Sequence, residues 1–292
     1  MSYPFNPKHK FENLYLFLGT IVLAAIIYFF YEFEPLWTLG AIVIALLYIR
    51  LIQGQYLGNA LEITNKHFYR LRHIIENQSS VLQVPLPKLF IYQDPVPNAY
   101  TLGFKHPYSI ILSSSLVEGL NEEELEAVIA HEMGHVKFHH ARISSIINPA
   151  GNNIPVFSLI FGFWNRAAET SSDNISLLIT ENPRALITGL TKISIGVSFL
   201  EQIDEDELLL QSQEIKQSLF NKGGELLNSH PYLTSRIHNI IARSGDMGIP
   251  YLKTGKMFCP FCRKQISISA RFCTACGVSI RNAVSAQPSM GL

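Results

Sequence analysis

The residues best arranged to do chemistry are His131, Glu132 and His135, in the run His131-Glu132-Met133-Gly134-His135. On an α-helix, positions four apart share a face, so both imidazoles can bind a single zinc ion. Glu132 then lies beside the open coordination position, where a carboxylate can take a proton from water. A catalytic zinc of this kind needs a third protein ligand. Glu169 and Asp173, one helical turn apart, are both candidates. One carboxylate could bind the metal while the other accepts a proton from the far nitrogen of a ligand histidine. The adjacent His139 and His140 read as solvated, because His135 already completes the helical pair.

The flanking sequence supplies a helix to carry this motif. Asn121 with Glu124 three residues on is a capping-box signature, and the acids Glu122 to Glu124 suit the positive end of a helix dipole. Leu125, Val128, Ile129, Gly134 and Val136 can pack inward, while Glu123, Glu126 and Lys137 supply polar faces. Upstream, residues 58–82 read as one long helix, with Ile63, Phe68, Leu71, Ile74 and Ile75 as its stripe. Residues 88–92 and 109–113 read as strands, with Pro95, Pro97 and Gly103 marking turns between them. The apolar run 154–164, interrupted by Pro155 and Gly162, is too short to cross a bilayer and reads as a core helix beneath the zinc helix. Residues 181–201 look helical again, starting after Pro183. The central region is therefore α+β and mainly helical, with a small sheet beside the zinc helix.

The ends of the chain have different compositions. Residues 14–31 and 36–52 are two apolar runs, each long enough to span a hydrocarbon core, joined by a link that permits only a tight helical hairpin. Tyr28, Tyr31, Trp37 and Tyr48 lie near their ends, as interfacial aromatics do. Lys8 and Lys10 precede the hairpin and Arg50, Lys66, Arg70 and Arg72 follow it, whereas the link carries Glu32 and Glu34. By the positive-inside rule both termini face the cytoplasm. Near the C-terminus, Cys259, Cys262, Cys273 and Cys276 form two C-x-x-C knuckles, the pattern of a closed, structural zinc site of four thiolates in a fold resembling a zinc ribbon. The chain thus divides into a transmembrane hairpin over 1–55, a catalytic domain over 56–254, the ribbon over 255–282 and a disordered tail over 283–292. Lysine plus arginine and aspartate plus glutamate both number 23, so nothing argues for a polyanionic partner of the whole chain, and nucleic acid is not expected. The 48% hydrophobic content is explained by the hairpin.

Four stretches in matching order resemble the M48 metallopeptidases, the family of the bacterial HtpX-type membrane proteases and the eukaryotic CAAX prenyl proteases. They are the His131 to His135 motif, Arg166…Glu169…Asp173, Asn98-Ala99-Tyr100, and the run from His230-Pro231 to Arg236. The resemblance implies a zincin-type, gluzincin-like domain in which Glu169 is the third zinc ligand and Asp173 orients a ligand histidine. It further implies that His230 donates to the developing oxyanion and that Asn98, Ala99 and Tyr100 line the substrate cleft. Arg236 is expected to pair with a nearby carboxylate. The chain departs from the family at Ser172, where alanine is usual, and between His135 and Glu169, where HtpX-type proteases place two membrane helices. The implied protein binds one catalytic and one structural Zn2+. It is a multi-pass inner-membrane endopeptidase, hydrolysing membrane or misfolded polypeptides on the cytoplasmic side in quality control. Its expected partners are those substrates, membrane lipid and a protein recruited by the ribbon. The alternative is a catalytically silent or tightly regulated membrane adaptor acting through that ribbon.

Overall fold

A computed structural model describes residues 5–147, 155–197, 232–249, 256–259, 262, 265–267, 272–273 and 275–277. The chain opens with two long helices, α1 (Glu12–Phe33) and α2 (Pro35–Gly58), which leave only Glu34 between them. Only 6% of the apolar window of each helix is buried, and Leu36, Trp37 and Leu51 are 83%, 79% and 72% exposed. A core helix of a soluble protein would hide these side chains. Water is therefore the wrong solvent for the pair, and a bilayer is the right one.

Residues 58–82 are not one helix. α2 ends at Gly58, β1 (Ala60–Glu62) follows, and α3 (Tyr69–Leu82) starts only after Phe68, whose φ of 57° lies in the left-handed region. Pairing decides against the helical stripe here. β1 adds antiparallel to β2 (Lys88–Tyr92), and Ile63 beyond it is 1% exposed. β3 (Ala99–Leu102) and β4 (Ser109–Ser113) complete a mixed sheet of order β1-β2-β4-β3. The two strands expected from sequence, β2 and β4, run parallel side by side in its centre, with β1 and β3 at the two edges.

α4 (Ser114–Gly119) leads into α5 (Glu122–Lys137). α5 begins with the capping box as read: the Asn121 side chain accepts from the Glu124 N–H and the Glu124 carboxylate accepts from the Asn121 N–H, both at 2.9 Å. α5 is the central helix. Ile129 and Met133 are fully buried in one core with Leu89, Ile110 and Leu112 of the sheet and Ile75 of α3. After α6 (His140–Ile147), α7 (Pro155–Thr180) runs along α5, followed by α8 (Pro183–Ile195) and α9 (Leu233–Asp246). Cys259 and Cys262 lie between the strands of a short hairpin, β5 (Lys256–Phe258) and β6 (Gln265–Ser267), and Cys273 and Cys276 follow it in sequence.

α7 is the second departure from expectation. The apolar run and the Arg166 to Asp173 stretch, read as separate pieces, form one 26-residue helix, with Pro155 as its first residue, where the missing N–H costs nothing. Phe161 and Trp164 are 2% and 1% exposed, in contact with α1 residues Tyr15, Leu16 and Leu23. On the other face Val156, Leu159 and Phe163 are 53%, 65% and 52% exposed, so the core reading of this run holds for one face only. α5 and α7 come closest at Gly134, where a Cβ would lie 2.6 Å from the Cα of Ser172. That crossing requires glycine on one helix and tolerates only a small side chain, such as serine or alanine, on the other.

Candidate active site

α5 presents His131 and His135 from successive turns, and the close α5–α7 crossing puts Glu169 against them. His131 Nε2 is 3.3 Å from Glu169 Oε2 and 3.3 Å from His135 Nε2, and His135 Nε2 is 3.6 Å from Glu169 Oε1. Tetrahedral ligands at zinc distances of about 2.0–2.1 Å must sit roughly 3.3 Å apart, so these three groups fit one ion. His131, Glu132 and Glu169 are each 5% or 6% exposed.

Each flank of this triangle is braced. His131 Nδ1 donates to Asp173 Oδ1 at 2.9 Å, which leaves Nε2 with its lone pair free for a metal. Asp173 is gripped by α9: Arg236 donates through Nε to Oδ2 at 3.0 Å and through Nη2 to Oδ1 at 2.6 Å. The Nη1 of the same guanidinium lies 3.2 Å from Glu169 Oε2, so Arg236 ties both carboxylates of α7 together. Burial pushes the Asp173 carboxyl up, but Arg236 and His131 outweigh it and hold the pKa below the usual carboxylate range. Burial and Arg236 likewise oppose a proton on His131, yet Asp173 and Glu169 prevail and raise its pKa to about 9 in the metal-free protein.

β3 forms the other wall. A cleft of about 270 Å3 is lined by Asn98, Ala99, Tyr100 and Thr101 on one side and by the histidines and Glu169 on the other. Thr101 donates from Oγ1 to Glu132 Oε2 at 2.6 Å, fixing that carboxylate at the mouth of the cleft. Tyr100 packs edge-on against Tyr56 of α2, with ring centroids 5.6 Å apart. The edge that faces the site is β3, since β4 is enclosed between β2 and β3.

Among the residues expected from sequence, His131, Glu132, His135, Glu169, Asp173, Arg236, Asn98, Ala99 and Tyr100 converge on this cleft. His230 lies outside the described residues. The four cysteines form a separate group whose sulfurs all lie within 4.8 Å of one another, the arrangement a tetrathiolate metal site requires. One polar residue at the site went unread and another was read wrongly. Thr101 looks like an ordinary strand threonine, and only its position in β3 opposite α5 reveals its use. His140 is not solvated: it is 1% exposed, and its Nδ1 lies 3.1 Å from Nδ1 of His135.

The sequence profile of peptidase family M48 matches residues 65–162. A plastoglobule-localized chloroplast metallopeptidase of Arabidopsis thaliana is 30% identical over 171 residues, which is 54% of this chain and 49% of that protein. This chain therefore spans about half the length of the plant relative. A protease HtpX homolog of Limosilactobacillus reuteri is 26% identical over 295 residues, covering 82% of this chain and 99% of that protein. Its counterpart in Ligilactobacillus salivarius is 25% identical over 276 residues, covering 77% and 92%. Among solved structures, Ste24p of S. mikatae aligns with a TM-score of 0.44 and 17% identity, over 79% of this chain and 65% of that one. Profile and relatives agree with the site that α5 carries: residues 65–162 match the M48 peptidase profile, and most of the chain is similar to HtpX-type proteases.

Proposed function

We propose that this protein is a membrane-anchored zinc endopeptidase that cleaves polypeptides at the cytoplasmic face of the cell membrane, acting on membrane or misfolded chains in quality control. The observation that carries the reading is the triangle of His131 Nε2, His135 Nε2 and the Glu169 carboxylate, with separations of 3.3–3.6 Å, beside a buried Glu132. His131, His135 and Glu169 would hold the zinc. When bound, zinc supplies a Lewis acid that brings the acidity of water into the neutral range.

The remaining steps fall to the chain. Glu132, steadied by Thr101, takes a proton from the attacking water and delivers it to the leaving amine. Asp173 and Arg236 keep His131 in the tautomer that offers Nε2. The free edge of β3, from Asn98 to Tyr100, receives an extended substrate backbone by strand addition, which selects conformation more than sequence. His230, by its likeness to the family, donates to the developing oxyanion.

The proposal extends to organisation. Residues 1–55 form the anchor, 56–254 the peptidase, 255–282 a ribbon held by a second, structural zinc on Cys259, Cys262, Cys273 and Cys276, and 283–292 a tail. Both termini lie in the cytoplasm. The exposed Val156, Leu159 and Phe163 stripe of α7 meets lipid beside α1. The ribbon recruits a protein partner, and nucleic acid has no part. A silent adaptor has no reason to keep Glu132 buried against Thr101 at the mouth of a metal-sized triangle.

The test is casein cleavage by the detergent-purified full chain beside Glu132→Gln. The variant should lose at least about a hundredfold in rate while still binding two zinc ions. Equal rates in both proteins would overturn the assignment of the base.

A further inference from the structure

His135 has a line of support that the proposed mechanism does not use, and it leads to the very start of the first membrane helix. His135 Nδ1 is 3.1 Å from His140 Nδ1, and His140 Nε2 is 3.0 Å from Glu12 Oε1. His140 and Glu12 are 1% and 2% exposed. If His135 gives Nε2 to a metal, its single proton sits on Nδ1 and must be donated. His140 Nδ1 is then the acceptor, so the proton of His140 is on Nε2 and points to Glu12. The metal end thus fixes every proton along the line. Lys8 Nζ lies 3.1 Å from Glu12 Oε1, and the Ser171 hydroxyl donates to Oε2.

The arrangement mirrors that of the other ligand histidine. His131 leans on Asp173, which is neutralised by Arg236; His135 leans on His140 and Glu12, neutralised by Lys8. Residues 7–12 are pinned where this requires. The His9 N–H donates to Ser171 Oγ at 2.8 Å, and Asn174 Nδ2 donates to the Pro7 carbonyl at 2.9 Å. Both partners stand on α7, within a turn or two of Glu169. A buried carboxylate serving packing alone needs partners, but not an unbroken path to a metal-binding nitrogen.

We infer that Glu12 and His140 are positioning residues for His135, so that the segment leading into the membrane anchor is a built-in part of the metal centre. The inference rests on His131, His135 and Glu169 being the ligands. The experiment compares wild type, Glu12→Gln, His140→Leu, the double variant and His135→Ala, all as the full chain in detergent. The readouts are zinc affinity by chelator competition and the visible spectrum after cobalt(II) substitution. The sulfur-to-metal charge-transfer band separates the tetrathiolate site from the nitrogen and oxygen site.

Glu12→Gln and His140→Leu should each weaken metal binding at the histidine site about 10- to 100-fold and shift its cobalt bands, leaving the cysteine site unchanged. The double variant should be no worse than His140→Leu, since both act along one line. Wild-type affinity and spectrum in Glu12→Gln, the isosteric change, would overturn the inference even if His140→Leu failed to fold. Unchanged affinity in His135→Ala would instead remove the ligand assignment beneath it, a separately readable outcome.

Discussion

Thr101 and His131 illustrate how single atoms set the behaviour of the site. The hydroxyl of Thr101 is 2.6 Å from Glu132 Oε2, a charge-assisted bond to the group that must accept a proton in the reaction. Thr101→Val keeps the shape and removes the donor. It should lower kcat/KM for a peptide substrate about tenfold with zinc content unchanged, because an unheld carboxylate samples unproductive positions. His131 gives a prediction in pH. In the metal-free protein its pKa is raised to about 9, so at neutral pH zinc must displace a proton. Apparent zinc affinity should therefore climb with pH up to about 9 and then level off. Calorimetry in buffers of different ionisation enthalpy should show a proton released at about pH 7.5 that is absent in His131→Ala. Stability of the metal-free form runs the other way. A raised folded pKa stabilises fully below about 6.5 and is lost as pH rises through 9, so its melting temperature should fall over that window.

At the scale of elements, the contact between α5 and α7 holds the triangle together. Gly134→Ala would thrust a Cβ to 2.6 Å from the Ser172 backbone, which cannot swing away as a side chain tip could. The helices must part, at a cost of about 1–3 kcal/mol, and Glu169 must retreat from the histidines. Thermal melting should show the first effect and chelator competition a loss of zinc affinity as the second. Ser172→Gly in the same chain should restore little of either, because the Cα that meets the new Cβ remains. This crossing also shows which features can be read from sequence. α5 was legible because its cap, periodicity and motif are all local. α7 was not, because Pro155 and Gly162 look like breakers, although a proline at the first helical position interrupts nothing. β1 was hidden by a plausible helical stripe, and only pairing with β2 across about thirty residues, a distance at which local propensity is routinely overridden, reveals it. His140 misled for the same reason: its acid, Glu12, is 128 residues away in sequence.

The whole molecule places chemistry at one end of a membrane anchor. The basic residues flanking the hairpin predict that the link between α1 and α2 faces outward. In intact cells, a membrane-impermeant maleimide should label Glu32→Cys and should not label the wild-type protein, whose four cysteines would then lie inside; failure to label the variant, or equal labelling of both proteins, would overturn this topology. Placement relative to the bilayer also follows from α7, since its exposed apolar residues and its carboxylates belong to a single helix. Leu159 and Glu169 are ten positions apart on it, a distance of about 15 Å at the rise of an α-helix. With Leu159 at the lipid boundary, α7 becomes a ruler. A polypeptide still embedded in the same membrane would need about five extended residues between its last lipid-covered side chain and the bond to be cut. Loops shorter than that would escape whatever their sequence, and stub length would mark the products of this enzyme.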